Sequence, residues 1–397
     1  MKKIGIVTMV GYDNYGNLLQ NYAVKKLLEN MGYQAVTLNN QVKTDESAHF
    51  NKISIWNKCK PKYVRKFLKV KANQLLGCKN VSDYTFLSII RHLKNRKVFQ
   101  KCKDERLEKF KAFRKMYIPY ESLPIYDEKF SEKDYVAFIC GSDVVWHPTY
   151  HYNKENDFLC FAPKYKRIAL APSFGVSEIP TERKEAYKVW LDGIEYLSVR
   201  EDAGATIIKD LVKRKAEVLP DPTLTIDVKH WRSISRMPDT PPKGSYILCY
   251  FLGDETSEYS SWIRECASLG EKEIVSVCDA NFLQYYASDP GEFLWLIDHA
   301  SAVFTDSFHG IVFSMLFHAP FVAFRRVEER LSIFSRIESL LHCMNMENRE
   351  FGRVTVEQFD KMDFDCIDEK IADMREKEKS FLKNALDEIE KGVVCNE

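Results

Sequence analysis

The chain has 397 residues, with 58 Lys and Arg against 57 Asp and Glu, for a formal net charge of +1. With 45% hydrophobic and 29% charged residues it is neither disordered nor fibrous, and at roughly 150 residues per domain it has room for two or three cores. Its 11 cysteines are scattered and form no C-x-x-C pair, which argues against a secreted disulfide framework or a zinc ribbon and favours a reducing compartment.

The first element is a strand over 3–9, KIGIVTM. It follows Lys2-Lys3 as the apolar part of a signal peptide would, but it is β-branched and leads into GYDNYGN with no small-residue cleavage site. A helix is predicted from Leu18 to Met31, stopped by Gly32, and QAVTLN (34–39) reads as a second strand. Residues 41–130 break the rhythm: they are basic, poor in glycine and expected to form a helical insert. Alternation resumes with strands at 135–140, 167–175 and 196–201, a helix over 203–213 and a strand near 216–222. The Pro-rich stretch Ser235–Ser245 is the clearest linker.

Beyond the linker come a strand over 246–252, a helix over 257–269, a strand over 273–279 and a helix over 290–299. They are followed by a strand at 301–306, a helix over 310–318, a strand at 320–324, a helix over 331–344 and a charged helix near 367–391. The longest apolar run, Ile311 to Phe324, is broken by Ser314, His318 and Pro320 and is too short to span a bilayer. The pattern predicts an α/β protein with two Rossmann-like, doubly wound parallel sheets facing a cleft. The expected domains are 1–234 including the insert 41–130, a linker 235–245, a second domain 246–365 and a charged helix 366–397. The expected location is cytoplasmic.

Charge is uneven along the chain. Residues 51–118 carry 20 Lys and Arg against four acidic residues, a local +16, so the other 329 residues sum to −15. Within 53–76, Trp56, Tyr63 and Phe67 are interleaved with Lys62, Arg65, Lys66 and Lys69, as a helix lying on an anionic membrane surface requires. A solvated face is the alternative. No nucleic-acid recognition fold accompanies the charge.

In doubly wound folds ligands lie beyond the carboxyl ends of the strands, so the chemistry is sought at strand-to-helix junctions. There is no G-x-G-x-x-G after the first strand and no P-loop, and the single D-x-D, Asp363-Phe364-Asp365, lies in the acidic tail. Neither a metal nor a bound cofactor is expected. The first junction holds Asp13, Asn14, Gly16, Asn17 and Gln20, whose turn and helix start can take an anion or a sugar hydroxyl, or can simply cap the helix. Ser142 and Asp143 end another strand, and Arg200 ends a third. The sharpest junction is Thr305-Asp306-Ser307-Phe308-His309-Gly310, followed by Arg325-Arg326 beyond the next strand.

Taken together, NYGNLLQ, GSDVVW, SFG (173–175), SVRE, LPDPTL (219–224), EFLWLIDHASAVFTDSFHG and SRIESLL resemble the polysaccharide pyruvyl transferase family, in the family's order from residue 1 to about 345. The resemblance implies a glycosyltransferase-B-like fold. It also implies transfer of the enolpyruvyl unit of phosphoenolpyruvate onto two hydroxyls of a saccharide acceptor, commonly a lipid-linked precursor of a cell-surface glycan. It makes His309 the acid that protonates the methylene carbon, Arg200 a donor ligand and Arg325 or Arg326 a second cation. Asp143 or Asp13 takes the acceptor's proton, with Ser142, Ser307 and Gly310 among the binding residues. Characterised members carry Ser-x-Arg-Leu-His, and Phe308 is read in place of that arginine, with Arg325 or Arg326 compensating. The competing readings are a sugar-nucleotide-dependent glycosyltransferase and a non-catalytic glycan-binding subunit of an assembly complex.

Overall fold

Strand β1 (Lys3–Val7) buries Ile4, Ile6 and Val7 completely, the continuous apolar run of a strand covered on both faces. Helix α1 (Tyr15–Asn30) follows, capped by Asn14, and leads to β2 (Gln34–Asn39). The computed structural model describes residues 1–10, 14–40, 86–149, 155–279, 282–326 and 334–394. Asp13 and the basic segment 53–76 lie outside the described residues. Two units make up the chain: Gln41–Cys102, and Met1–Asn40 together with Lys103–Glu397. In the smaller unit the described residues from Phe86 are helical, in helix α2 (Phe86–Tyr117).

The larger unit contains two parallel sheets. Strands β3 (Tyr120–Pro124), β4 (Ala137–Cys140), β5 (Arg167–Ala169), β6 (Tyr196–Val199) and β7 (Glu217–Val218) join the first two in the order β3-β2-β1-β4-β5-β6-β7. Helices α3 (Lys184–Asp192), α4 (Asp202–Val212), α5 (Pro222–Thr225) and α6 (Val228–Ile234) complete that half. The second sheet has β8 (Tyr246–Tyr250), β9 (Glu273–Ser276), β10 (Ala302–Thr305) and β11 (Phe321–Ala323) in the order β11-β10-β8-β9. Its helices are α7 (Ser257–Leu269), α8 (Leu283–Tyr286), α9 (Pro290–Asp298), α10 (Phe308–Leu316) and α11 (Ser335–Met344). A long helix, α12 (Asp365–Val394), comes last. The α/β class with two Rossmann-like parallel sheets is as the sequence predicts.

Chain order reverses between β1 and β4 in one sheet and between β8 and β10 in the other. These switch points are where open parallel sheets leave a crevice. Helix α1 is buried nearly all round. Leu18, Leu19 and Tyr22 join the core of Tyr246, Leu248, Phe293 and Val312, while Val24 and Leu28 join that of Ile4 and Ile6. Helix α12 returns to the first sheet, laying Leu382, Ala385, Leu386 and Ile389 on the same Ile4–Ile6 cluster at helical spacing. Each large aliphatic side chain buried this way contributes roughly 1.5–3 kcal/mol.

Two differences from the sequence reading matter. The segment expected to be helical to residue 130 contains β3, which pairs with β2 through Thr37 and Tyr120. Helix α10 begins at Phe308 rather than 310, because Ser307 is its cap, and this puts His309 inside the first turn. Among the described residues, no helix is long and apolar enough to cross a membrane.

Candidate active site

The carboxyl ends of β1, β4, β6, β7 and β10 bring one charged cluster together at these crevices. Its centre is Asp221, which caps α5 ahead of Pro222. The Asp221 carboxylate accepts the Thr223 amide at 3.0 Å and the Thr223 hydroxyl at 2.7 Å through Oδ1. Its Oδ2 accepts Arg200 Nη1, lies 3.0 Å from the Ser142 hydroxyl and is 3.7 Å from His309 Nε2. Burial alone would raise its pKa, but the His309 contact, the Arg200 charge and Thr223 outweigh it and hold the carboxyl far below the usual range.

Arg200 is also buried, and burial opposes its charge. Asp221, Asp143 and Glu201 reverse that effect and raise its pKa. Its guanidinium lies over the Phe308 ring, 4.5 Å from the centroid, and its Nη2 is 3.6 Å from Asp143 Oδ1. Nη1 is committed to Asp221, while Nε and Nη2, which form the opposite edge, have no hydrogen-bond partner. His309 Nε2 is likewise buried without one. Buried donors without partners are costly, and a carboxylate or phosphate matches an arginine edge with two parallel hydrogen bonds.

The other expected residues divide sharply. Gly16 lies against the His309 ring so closely that an added Cβ would sit 2.2 Å from Nδ1; it is there to let the imidazole approach the helix. Asn14 caps α1 by accepting the Asn17 amide. Gln20 is a brace: its amide donates to the Thr8 hydroxyl and the Asn17 carbonyl, and its Oε1 accepts the Ser142 amide at 3.0 Å. It thus ties the ends of β1 and β4 across the switch point. The Ser142 hydroxyl is shared between Asp221 and the Ala171 carbonyl. Ser307 caps the Gly310 amide, and a side chain at Gly310 would strike the Thr305 hydroxyl. These residues shape the site and are engaged with the protein itself.

Arg325 is not in the cluster. It is half-exposed and bound by Glu350 and Glu338 at 2.5 and 2.8 Å. Arg326 donates to Asp306 Oδ2 at 3.0 Å, and Asp306 in turn accepts the amides of Leu252 and Gly253 after β8, so this arginine anchors a loop. The cation that does join Arg200 is Arg336 on α11, which sequence reasoning missed. It is buried, 3.7 Å from Asp143 Oδ1 and 5.9 Å from the centroid of the Phe308 ring. Counted back from the histidine, Ser-x-Arg-Leu-His places the family's arginine at Ser307 and its leucine at Phe308. The aromatic ring under two guanidiniums is therefore an apolar platform rather than a lost ligand.

Asp221 was also missed, though LPDPTL marks it: an Asp before Pro is a helix cap, and here the cap also meets Arg200 and Ser142. His147, beyond the β4 turn, is pushed down to about 4 by burial and by Arg336. The SFG and SVRE motifs interlock, with Glu201 Oε1 accepting the Ser173 hydroxyl and the Phe174 amide. Among the described residues no group of His, Cys, Asp or Glu is arranged to hold a metal ion.

Solved structures similar to this one include UDP-GlcNAc 2-epimerase from Neisseria meningitidis bound to UDP-GlcNAc, at 9% identity and TM-score 0.39, covering 97% of this chain and 100% of that one. A glycosyltransferase from Rickettsia africae ESF-5 has 10% identity and TM-score 0.42, with 99% and 97% covered. A putative UDP-N-acetylglucosamine 2-epimerase from Listeria monocytogenes has 10% identity and TM-score 0.43, with 94% and 90% covered. No curated protein matches the chain. The sequence pattern of one enzyme family, however, matches residues 14–326, from the Asn14 cap to the arginine on Asp306, and that span takes in Asp143, Arg200, Asp221 and His309. The chain belongs to the polysaccharide pyruvyl transferase family.

Proposed function

We propose that the protein transfers the enolpyruvyl group of phosphoenolpyruvate onto two hydroxyls of a saccharide in a cell-surface polysaccharide precursor. The observation that carries this reading is that Arg200 Nε and Nη2 and His309 Nε2, gathered around Asp221, are buried without a hydrogen bond, their nearest carboxylates being Asp143 at 3.6 Å from Nη2 and Asp221 at 3.7 Å from His309. An anion seated on the Nε/Nη2 edge of Arg200 meets a proton-bearing group at once, and phosphoenolpyruvate needs both. Arg336 supplies a second cation for its other anionic group.

In this scheme His309 Nε2 gives its proton to the methylene carbon, leaving an oxocarbenium-like C2. Asp221 compensates the charge the imidazole carries beforehand. Attack by the first acceptor hydroxyl forms one C–O bond, its proton passing to Asp143. The phosphate then leaves with the electrons of its C–O bond, and the second hydroxyl closes the ketal, its proton passing to the His309 Nε2 left deprotonated by the first step. Titration of the melting temperature tests the donor: phosphoenolpyruvate should raise it and UDP-sugars should not, since only a ligand of the native state stabilises it. Stabilisation by a UDP-sugar alone would overturn the reading in favour of a glycosyltransferase. No shift with any of them would favour a non-catalytic subunit.

The basic residues 53–76 support an acceptor met at an anionic membrane surface while attached to its lipid. At about 1 kcal/mol per basic residue near the surface, binding should be strong at low salt and screened at high salt. Failure to sediment with anionic vesicles at low salt would remove that part of the proposal.

A further inference from the structure

The cluster has a neighbour that its chemistry does not use. Glu378, on α12, is completely buried and lies outside the family-matched span. Its Oε2 accepts the Thr225 hydroxyl, its Oε1 has no hydrogen-bond partner, and no ion pair with it forms among the described residues. Thr225 ends the one-turn helix that Asp221 caps. Two further side chains of α12 grip the same segment: Arg375 Nε donates to the Thr225 carbonyl at 2.5 Å, and Lys377 Nζ to the Val218 carbonyl at 2.8 Å. The charge that faces Glu378 is that of Asp221; Arg375 and Lys377, on its own helix, are turned onto carbonyls. A buried carboxyl opposite a carboxylate is tolerated only while it keeps its proton.

We infer that Glu378 is a positioning residue for the reaction: as a neutral carboxyl on α12 it fixes the Thr225–Asp221 turn so that Asp221 meets Arg200 and His309 at once. Ionised, it would set a second negative charge behind Asp221 and loosen that turn. Burial raises its pKa to about 8, so the change falls within reach of a pH profile. The donor part of the following test rests on the function proposed above.

The experiment compares wild type with Glu378→Gln, which keeps shape and neutrality, and Glu378→Ala, which removes the contact with Thr225. Turnover of phosphoenolpyruvate by wild type should fall on the alkaline side with a midpoint near pH 8, and Glu378→Gln should lack that limb. At pH 7 Glu378→Gln should exceed Glu378→Ala at least tenfold in kcat, with KM for the donor within about threefold in all three. Independently of turnover, the His309 ring signals followed by NMR should report the change at Glu378, with a step near pH 8 in wild type that is lost in Glu378→Gln. An unchanged alkaline limb in Glu378→Gln, or a step near pH 8 that is absent from wild type or persists in Glu378→Gln, would overturn the inference. A wild type that does not turn over phosphoenolpyruvate defeats the donor assignment, and the NMR comparison alone then decides Glu378.

Discussion

Replacing Gly16 with Ala tests how tightly the site is built. Gly16 is the second residue of α1, and alanine in a helix ordinarily gains about 0.5–1 kcal/mol over glycine. Here the new methyl would stand 2.2 Å from His309 Nδ1, 2.8 Å from Cε1 and 2.9 Å from Cγ. Ordinary contact begins near 3.4 Å, so the imidazole must retreat by more than about 1 Å. Overpacking of this kind typically costs about 1–3 kcal/mol, enough to reverse the sign of the helix gain and lower the melting temperature by a few degrees. Displacing a catalytic group by 1 Å costs on the order of 100-fold in rate. Gly392 in α12, with nothing within 4 Å of its added methyl, is the control, and alanine there should be neutral or stabilising by no more than about 1 kcal/mol. Differential scanning fluorimetry and phosphate release from phosphoenolpyruvate with a saccharide acceptor measure the two effects. A Gly16→Ala enzyme with wild-type turnover and an equal or higher melting temperature would refute the reasoning.

His309→Ala should lower turnover by roughly two to four orders of magnitude with little change in melting temperature; near-normal activity would remove it as the proton donor. Arg336→Ala should raise the half-saturating phosphoenolpyruvate concentration tenfold or more, as loss of a charge-assisted hydrogen bond does, while Arg325→Ala, bound to Glu338 and Glu350 outside the cluster, should leave it within about twofold. The reverse order would return the second cation to Arg325. Stability should also depend on His147, whose ordinary value of 6.5 falls to about 4 on folding. Between those values the unfolded chain binds a proton that the native one does not, so stability is full above pH 6.5 and declines as pH drops toward 4, by roughly 3 kcal/mol in all. Denaturant titrations at pH 7 and pH 4.5 should show a smaller difference for His147→Gln than for wild type; an equal difference would assign the acid sensitivity elsewhere.

Much of this was legible from local pattern. Alternating apolar runs and periodic helices identify most strands, because a buried parallel strand such as β10 leaves no polar position to confuse it. Strand β3 was not legible: Tyr120–Pro124 is only partly buried at a sheet edge and carries Glu121 and Pro124, so its pairing with β2 decides what its sequence leaves open. His309, Arg200 and Asp143 stood out because each follows an apolar strand. Arg325 was misleading for the same reason, since a strand end says nothing of the Glu338 and Glu350 that capture it. Arg336 and Glu378 had no local signal at all. Each sits on a helix whose turn toward the cluster is set by packing far away in sequence, and an arginine or glutamate on an amphipathic helix reads as surface until that packing is known.

The return of α12 to the first sheet has a consequence for how the protein is made. Ile4 and Ile6 are synthesised well before Leu382, Ala385, Leu386 and Ile389, which complete their cluster and follow by more than 370 residues. While the ribosome works through the intervening stretch, that face of the nascent sheet is uncovered and open to unwanted association. At 5–20 residues per second the interval is on the order of 20–80 s, far longer than the elementary collapse of a small domain. The same separation delays completion of the Asp221 cluster, since the turn carrying Asp221 is gripped by Arg375 and Glu378 only after those late residues have emerged.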